Sequence, residues 1–575
     1  MIRRTQTIAV VIAAAPAIAF AAAGGALRLG IRVAPEAADA STPEPAPPPR
    51  PTMAAPAASA PAPVRVAAGP DAAVAPLRDA ALASVARARK AAAGEIAREI
   101  SLPSIERLVE DADLRRASIA VPDRDWGFVR RNLETARAFA DRLEAGDDPY
   151  RTATGMLVKA YRADWDGTLQ PYALAVPARY QAGKAKWPLI VALHGAYSDH
   201  RHNLRRVFGL DNRRGETDAE ASRNELPLPE VGAIVVSPFG RGELMGYDGL
   251  GCDDVMRVLA DVRRAYDVDP DRITLTGLSM GGEGTWQIGL RHPELFAAIA
   301  PVCGVTDTRR LVPGPDVALY DLAALEALSP LALAENAARM PVMIFHGSND
   351  PTVPVGDSRR MVERYRALGW LGKNVHYTEY PNVGHDAWRP AYKDASLLRA
   401  LAAIRRRPAA PGIPSPAAPP PSGQAVPGLF SKSVPRQGPH LYVYGSRGAP
   451  DAVAAARLLA TRLADWGPMT SVKFAVKADH ELTTADRMRF DLVLVGAAPL
   501  NSLTADVALP ELATAGALGD RAFRAVAPDP MRKGRFVLVL GALTPRGFDR
   551  LQRFAHANRD AWAPEPNRPF ALLAD

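Results

Sequence analysis

At 575 residues, 48% of them apolar, the chain is longer than one ordinary domain and has enough apolar mass for two or three cores. Its 70 basic and 62 acidic residues leave a net charge of +8 spread along the sequence, with no dense basic run beside aromatics, so nucleic acid is not an expected partner. The two cysteines, Cys252 and Cys303, form no Cys-x-x-Cys; no metal or redox centre is expected, and they read as buried thiols or as one disulfide.

Residues 1–30 begin with Arg3 and Arg4 and run into an apolar stretch from Ile8 to about Leu27, with Ala17-Ile18-Ala19 as a small-x-small cleavage triplet. This predicts a signal peptide or, if uncleaved, a membrane anchor; either way the rest of the chain is exported, periplasmic or extracellular. Residues 31–76 are rich in Ala and Pro with hardly any large apolar side chains, the composition of an extended tether. Across 77–150 apolar residues recur at helical spacing (Ile105, Leu108, Val109, then Phe128, Leu133, Ala136, Phe139, Leu143), which predicts two or three helices packed on the α/β block C-terminal to them.

Between 151 and 405 short apolar runs alternate with amphipathic ones. The strand candidates are "LQPYALAVP", "PLIVALHG", "AIVVSPFG", "RITLTG", "AAIAPVCG", "PVMIFHG" and "VHYTEYP". Near-continuous apolar strands separated by helices predict an α/β fold, a mostly parallel sheet covered on both faces. Residues 406–427 form a second Pro-rich linker. Residues 428–575 carry "HLYVYG", "FDLVLVG" and "RFVLVLG" with helical runs at 451–466 and 545–557, a small C-terminal α/β segment.

A serine hydroxyl needs a base to become a nucleophile at neutral pH. Gly277-Leu278-Ser279-Met280-Gly281 matches Gly-x-Ser-x-Gly, with a strand before it and a helix after it, the setting in which a tight turn exposes a serine above a sheet. The acid and the base should come later in the chain in that order, each past a strand end. Asp350 follows "PVMIF" and His385 follows "VHYTEY"; Asp307 is the rival acid, His376 falls inside its strand, and His346 reads as structural. An oxyanion needs two fixed donors. They are expected from the backbone N–H of Met280 and, in the early loop "LHGAYSD", from that of Ala196, with Tyr197 as its neighbour. Arg241 and Tyr247 in the glycine-rich loop 238–251, Tyr197, and Trp388 just past His385 are candidate substrate contacts. Trp286 reads as core, and the insertion 306–340 is the natural place for a lid.

Five segments in order, "LHGAYSD", "DVDPDRITLTGLSMGGEGTW", "HPELFAAIAPVCG", "FHGSNDPTVPV" and "YPNVGHDAW", make the region from about Leu169 to Tyr392 resemble the α/β-hydrolase superfamily. It is most similar to the secreted esterase branch of polyhydroxybutyrate-depolymerase-like, feruloyl-esterase-like and dienelactone-hydrolase-like proteins, which grades into prolyl-oligopeptidase-type catalytic domains. The resemblance implies an α/β-hydrolase fold and ester hydrolysis by Ser279, Asp350 and His385, without a cofactor, on a small-molecule or polymer-linked ester. The N-terminal helices and the C-terminal segment depart from that pattern, and nothing before Leu169 has the strand repeats of a β-propeller. Two other readings remain: a prolyl-oligopeptidase-type peptidase, and a non-catalytic envelope protein that binds through a hydrolase scaffold.

Overall fold

The computed structural model describes residues 70–573 apart from 96–98, 120–121, 224–226, 248, 308–328, 407–438, 466–471, 511, 513–516, 533–535 and 558–569. The signal or anchor segment, the tether up to residue 69, residues 308–328 of the 306–340 insertion and nearly all of the 406–427 linker lie outside the described residues. Among the described residues no helix is long and apolar enough to cross a membrane.

Three helices, Pro70–Ala92, Leu102–Arg116 and Pro122–Glu144, come first. Their apolar stripes close on one another through Val85, Ile105, Val109, Leu133, Ala136 and Leu143. The first begins inside the stretch expected to be tether, because Pro70 suits an opening helical position and an alanine-rich run comes after it.

The central sheet has eight strands: β1 Gly155–Arg162, β2 Leu169–Val176, β3 Trp187–Leu193, β4 Ile234–Pro238, β5 Val268–Leu278, β6 Ala298–Val302, β7 Val342–Gly347 and β8 Val375–Tyr380. Their order is β1-β2-β4-β3-β5-β6-β7-β8, with β2 antiparallel to both neighbours and β3 to β8 parallel. Alternation along β3 explains the unbroken apolar runs. Leu189 and Val191 face a core with Val236, Leu275, Trp286 and Tyr365, while Ile190 and Ala192 face another with Phe208, Tyr392 and Leu398. Strand β1, absent from the strands expected of the sequence, forms a hairpin with β2 at the sheet edge. Helix Leu102–Arg116 packs on it: Ala160 N–H donates to Ser104 Oγ at 3.0 Å, and Ser104 Oγ donates to Ala160 C=O at 3.2 Å. The second half of the 306–340 insertion, Pro330–Arg339, is packed as core through Leu333, Ala334 and Ala337 rather than standing over the cleft as a lid.

The C-terminal segment is a six-stranded sheet in the order β10-β9-β11-β13-β12-β14, with β9 His440–Tyr444, β10 Ala475–Ala478, β11 Asp491–Val495, β12 Ala522–Pro528, β13 Phe536–Gly541 and β14 Phe570–Leu573. Helices Pro450–Ala464 and Pro545–Ala557 cover one face. The core on that face also takes in Met245 and Leu250 from the preceding α/β block.

Candidate active site

Strand β5 ends at Leu278, and helix Met280–Arg291 starts two residues later. Ser279 at the corner has φ 56° and ψ −116°, a conformation that costs an L-residue about 1–3 kcal/mol and persists only where the surroundings impose it. They do so here: Ser279 N–H donates to Val302 C=O at 2.9 Å. A side chain at Gly277 would collide with the Gly281 carbonyl, and one at Gly281 with the Leu193 carbonyl, so both flanking positions of the elbow accept only glycine.

The structure brings His385 between the serine and the acid. Its Nε2 lies 2.8 Å from Ser279 Oγ, and its Nδ1 lies 2.7 Å from Asp350 Oδ2. The imidazole turns to Asp350, not to the rival Asp307. Asp350 Oδ1 accepts the N–H groups of Thr352 and Val353 at 2.8 and 2.9 Å. Burial pushes this carboxyl upward, but hydrogen bonds from His346 and His385 and the Val353 N–H outweigh it and hold the group well below the usual carboxylate range. His346 is itself fixed, with Nδ1 on Ser358 Oγ at 2.7 Å and Nε2 on Val353 C=O at 2.8 Å.

The early loop lies against the elbow; a Cβ on Gly195 would stand 3.5 Å from Ser279 Cβ. Tyr197 N–H donates to Glu243 C=O at 3.1 Å, so it is already committed within this turn. Met280 opens its helix, where the first N–H groups have no intrahelical acceptor. The Tyr197 side chain is 47% exposed on the rim. Trp388 meets the His385 ring edge-on, centroids 5.4 Å apart at 89°.

Arg241 and Tyr247 are not surface contacts. Arg241 is 1% exposed and forms an ion pair with Asp166, with its guanidinium 4.4 Å from the Trp165 ring centroid. The Tyr247 hydroxyl accepts the His194 N–H at 2.9 Å inside the core. An arginine and a tyrosine in a glycine-rich loop suggest solvent; here partners distant in sequence bury both.

Both cysteines are free thiols. Cys303 was not anticipated at the site, yet its Sγ lies within 4.8 Å of the Asp350 carboxylate and of a His385 ring nitrogen, and donates to His385 C=O at 3.4 Å. Burial pushes this thiol well up. Sulfur, carboxylate and imidazole resemble a soft-cation donor set, but both Asp350 oxygens already accept hydrogen bonds from protein groups. His346 and Glu243 were also missed as supports; the spacing of His346 four residues before Asp350 was the available signal.

The sequence model of the prolyl oligopeptidase family matches residues 247–404, a stretch holding Ser279, Asp350 and His385. This chain is similar to a protein of Methylorubrum extorquens provisionally named carboxymethylenebutenolidase, at 24% identity over 49% of this chain and 91% of the relative. It is also similar to a bifunctional acetylxylan esterase/xylanase of Neocallimastix patriciarum, at 25% identity over 36% of this chain, and spans only 26% of that relative's length. Among solved structures, a thermostable esterase aligns at TM-score 0.31 and 25% identity over 44% of this chain and 63% of its own. A ferulic acid esterase aligns at TM-score 0.33 and 17% identity over 44% and 99%. With a mostly parallel eight-stranded sheet and a serine at the strand-to-helix elbow, the chain has the α/β-hydrolase fold and is similar in sequence to esterases.

Proposed function

We propose that this protein is an exported serine hydrolase that cleaves carboxylic esters through an acyl-enzyme on Ser279. The supporting observation is the single imidazole of His385 standing 2.8 Å from Ser279 Oγ and 2.7 Å from Asp350 Oδ2. His385 takes the Ser279 proton as Oγ attacks the acyl carbonyl, and Asp350 orients Nδ1–H and stabilises the imidazolium. The backbone N–H groups of Met280 and Ala196 receive the oxyanion; one such donor is worth about 3 kcal/mol of barrier. The tetrahedral species then expels the alcohol with the proton from His385, and water deprotonated by the same histidine releases the acid. The chain supplies every group these steps use, so no cofactor is invoked.

Tyr197 on the rim and Trp388 against the imidazole are the side chains proposed to meet substrate. Relatives named for acetylxylan ester and carboxymethylenebutenolide chemistry favour a small or polymer-linked ester. Export is supported by the charged and then apolar segment at 1–30 and by a relative in Arthroderma benhamiae named as a secreted protein. A fluorophosphonate probe followed by peptide mapping tests the proposal: the label should sit on Ser279, and labelling that persists in Ser279→Ala would overturn it.

The prolyl oligopeptidase match favours a second reading, a peptidase. Among the described residues, helices and no propeller blades precede the sheet. Hydrolysis of short p-nitrophenyl esters without cleavage of proline-containing peptide amides separates the two.

A further inference from the structure

We infer that the C-terminal α/β domain is a working part of the hydrolase: it clamps the loop 239–247, and that loop holds the oxyanion turn at 194–197 in register with Ser279. The inference rests on Ser279 being the nucleophile.

The clamp is apolar. Trp165, in the turn between β1 and β2, stacks on Phe474 of the C-terminal domain, centroids 5.7 Å apart at 24°, and packs against the cores on both faces of the C-terminal sheet. Met245 and Leu250, 2% and 1% exposed, are buried in one of those cores rather than in the core of their own domain. On the side of Trp165 that faces the loop lies the Arg241 guanidinium, paired with Asp166. Arg241 has φ 67°, a left-handed conformation that a non-glycine residue keeps only when its surroundings fix it.

The inner side of the same loop is polar, and its groups reach the oxyanion turn. Glu243 C=O accepts Tyr197 N–H at 3.1 Å, the Tyr247 hydroxyl accepts His194 N–H at 2.9 Å, and Phe239 C=O takes His194 Nε2 at 2.9 Å. The Tyr247 ring also lies against Gly284 of the elbow helix. Gly240, Gly242 and Gly246 give the loop many accessible conformations, so the chain segment alone would not hold these three contacts. The docked domain narrows that freedom. An oxyanion donor acts only when it is already in place as charge develops, so loosening the clamp slows turnover rather than weakening substrate binding.

The test uses the full chain carrying Phe474→Ala or Trp165→Ala, with Trp165→Phe as the conservative partner and Met245→Ala as a milder lesion. Active sites are titrated with a fluorophosphonate. Then kcat and KM on p-nitrophenyl acetate, and the inhibition constant of a trifluoromethyl ketone that forms a tetrahedral adduct, are measured per titrated site. The expected result is a fall in kcat of about 10- to 100-fold, KM within about twofold, an inhibition constant raised in step with the kcat loss, and substantial recovery in Trp165→Phe. Unchanged kcat and inhibition constant per titrated site, with only fewer sites or a lower Tm, would overturn the inference and leave the domain a stability element. Wild-type protein that fails to label at all would instead refute the assignment of Ser279.

Discussion

His346 and Asp350 face each other across the end of β7, with Nε2 3.3 Å from the same Oδ2 that His385 Nδ1 reaches at 2.7 Å. Two imidazoles on one carboxylate, and two backbone N–H groups on its other oxygen, leave Asp350 a single orientation. Asp350→Asn should therefore lower kcat by about 10⁴, since an amide cannot stabilise the imidazolium, whereas Asp307→Asn should leave turnover near wild type. Equal damage from Asp307→Asn in a p-nitrophenyl ester assay would reassign the acid. Stability should change as well. The folded carboxyl is held low, so its contribution is full above the ordinary aspartate range and is lost as pH falls through the folded value. The Tm gap between wild type and Asp350→Asn should close in acid.

Arg241 and Asp166 form a buried ion pair, their side chains 2% and 1% exposed. Arg241→Ala leaves that carboxylate enclosed without its partner, which should cost about 3–5 kcal/mol. The measurement is the denaturation midpoint in urea. A variant of wild-type stability with only a raised KM would return Arg241 to the substrate.

Burial, with Asp199 adding like charge, pushes the Glu243 carboxyl up to about 7. The folded protein then keeps a proton that the unfolded chain releases near 4.5, so stability falls as pH rises through this window and levels off above about 7. Glu243→Gln should flatten the Tm profile between about pH 4.5 and 7; an unaltered slope would place the titration elsewhere.

Cys303 is enclosed and its thiol is pushed up, so iodoacetamide should leave it unmodified in the native protein and alkylate it after unfolding. Because neither cysteine is bridged, a reductant should not move Tm. A Tm lowered by dithiothreitol would mean that the two are paired after all.

Much of this architecture was legible because it repeats simple patterns. β3 to β7 announce themselves as mainly apolar runs and β8 as an alternation of apolar and polar residues, and Gly277, Ser279 and Gly281 mark a turn that other residues cannot make. β1 was not legible: Lys159 interrupts its apolar alternation, and the structure buries that lysine with its ammonium 5.1 and 5.6 Å from the rings of Tyr150 and Tyr266. β10 and β14 are four residues each, too short for a period to show. Arg241 could not be placed from its loop, since its partner stands 75 positions earlier in the chain. The Phe474–Trp165 stack and the burial of Met245 in the C-terminal core depend on docking between domains, which no local pattern encodes.

The Ser104–Ala160 exchange has a consequence for how the molecule behaves among its own copies. β1 is an outermost strand of the central sheet, and an outermost strand normally offers unpaired backbone groups to any other extended chain. At Ala160 a serine hydroxyl from the covering helix answers both groups, donor and acceptor. The N-terminal helices thus act as a guard on that margin. Trimming them to reach a minimal enzyme would open the margin to self-association, and it would also remove Asp111, the ion-pair partner of Arg201 just past the turn at 194–197.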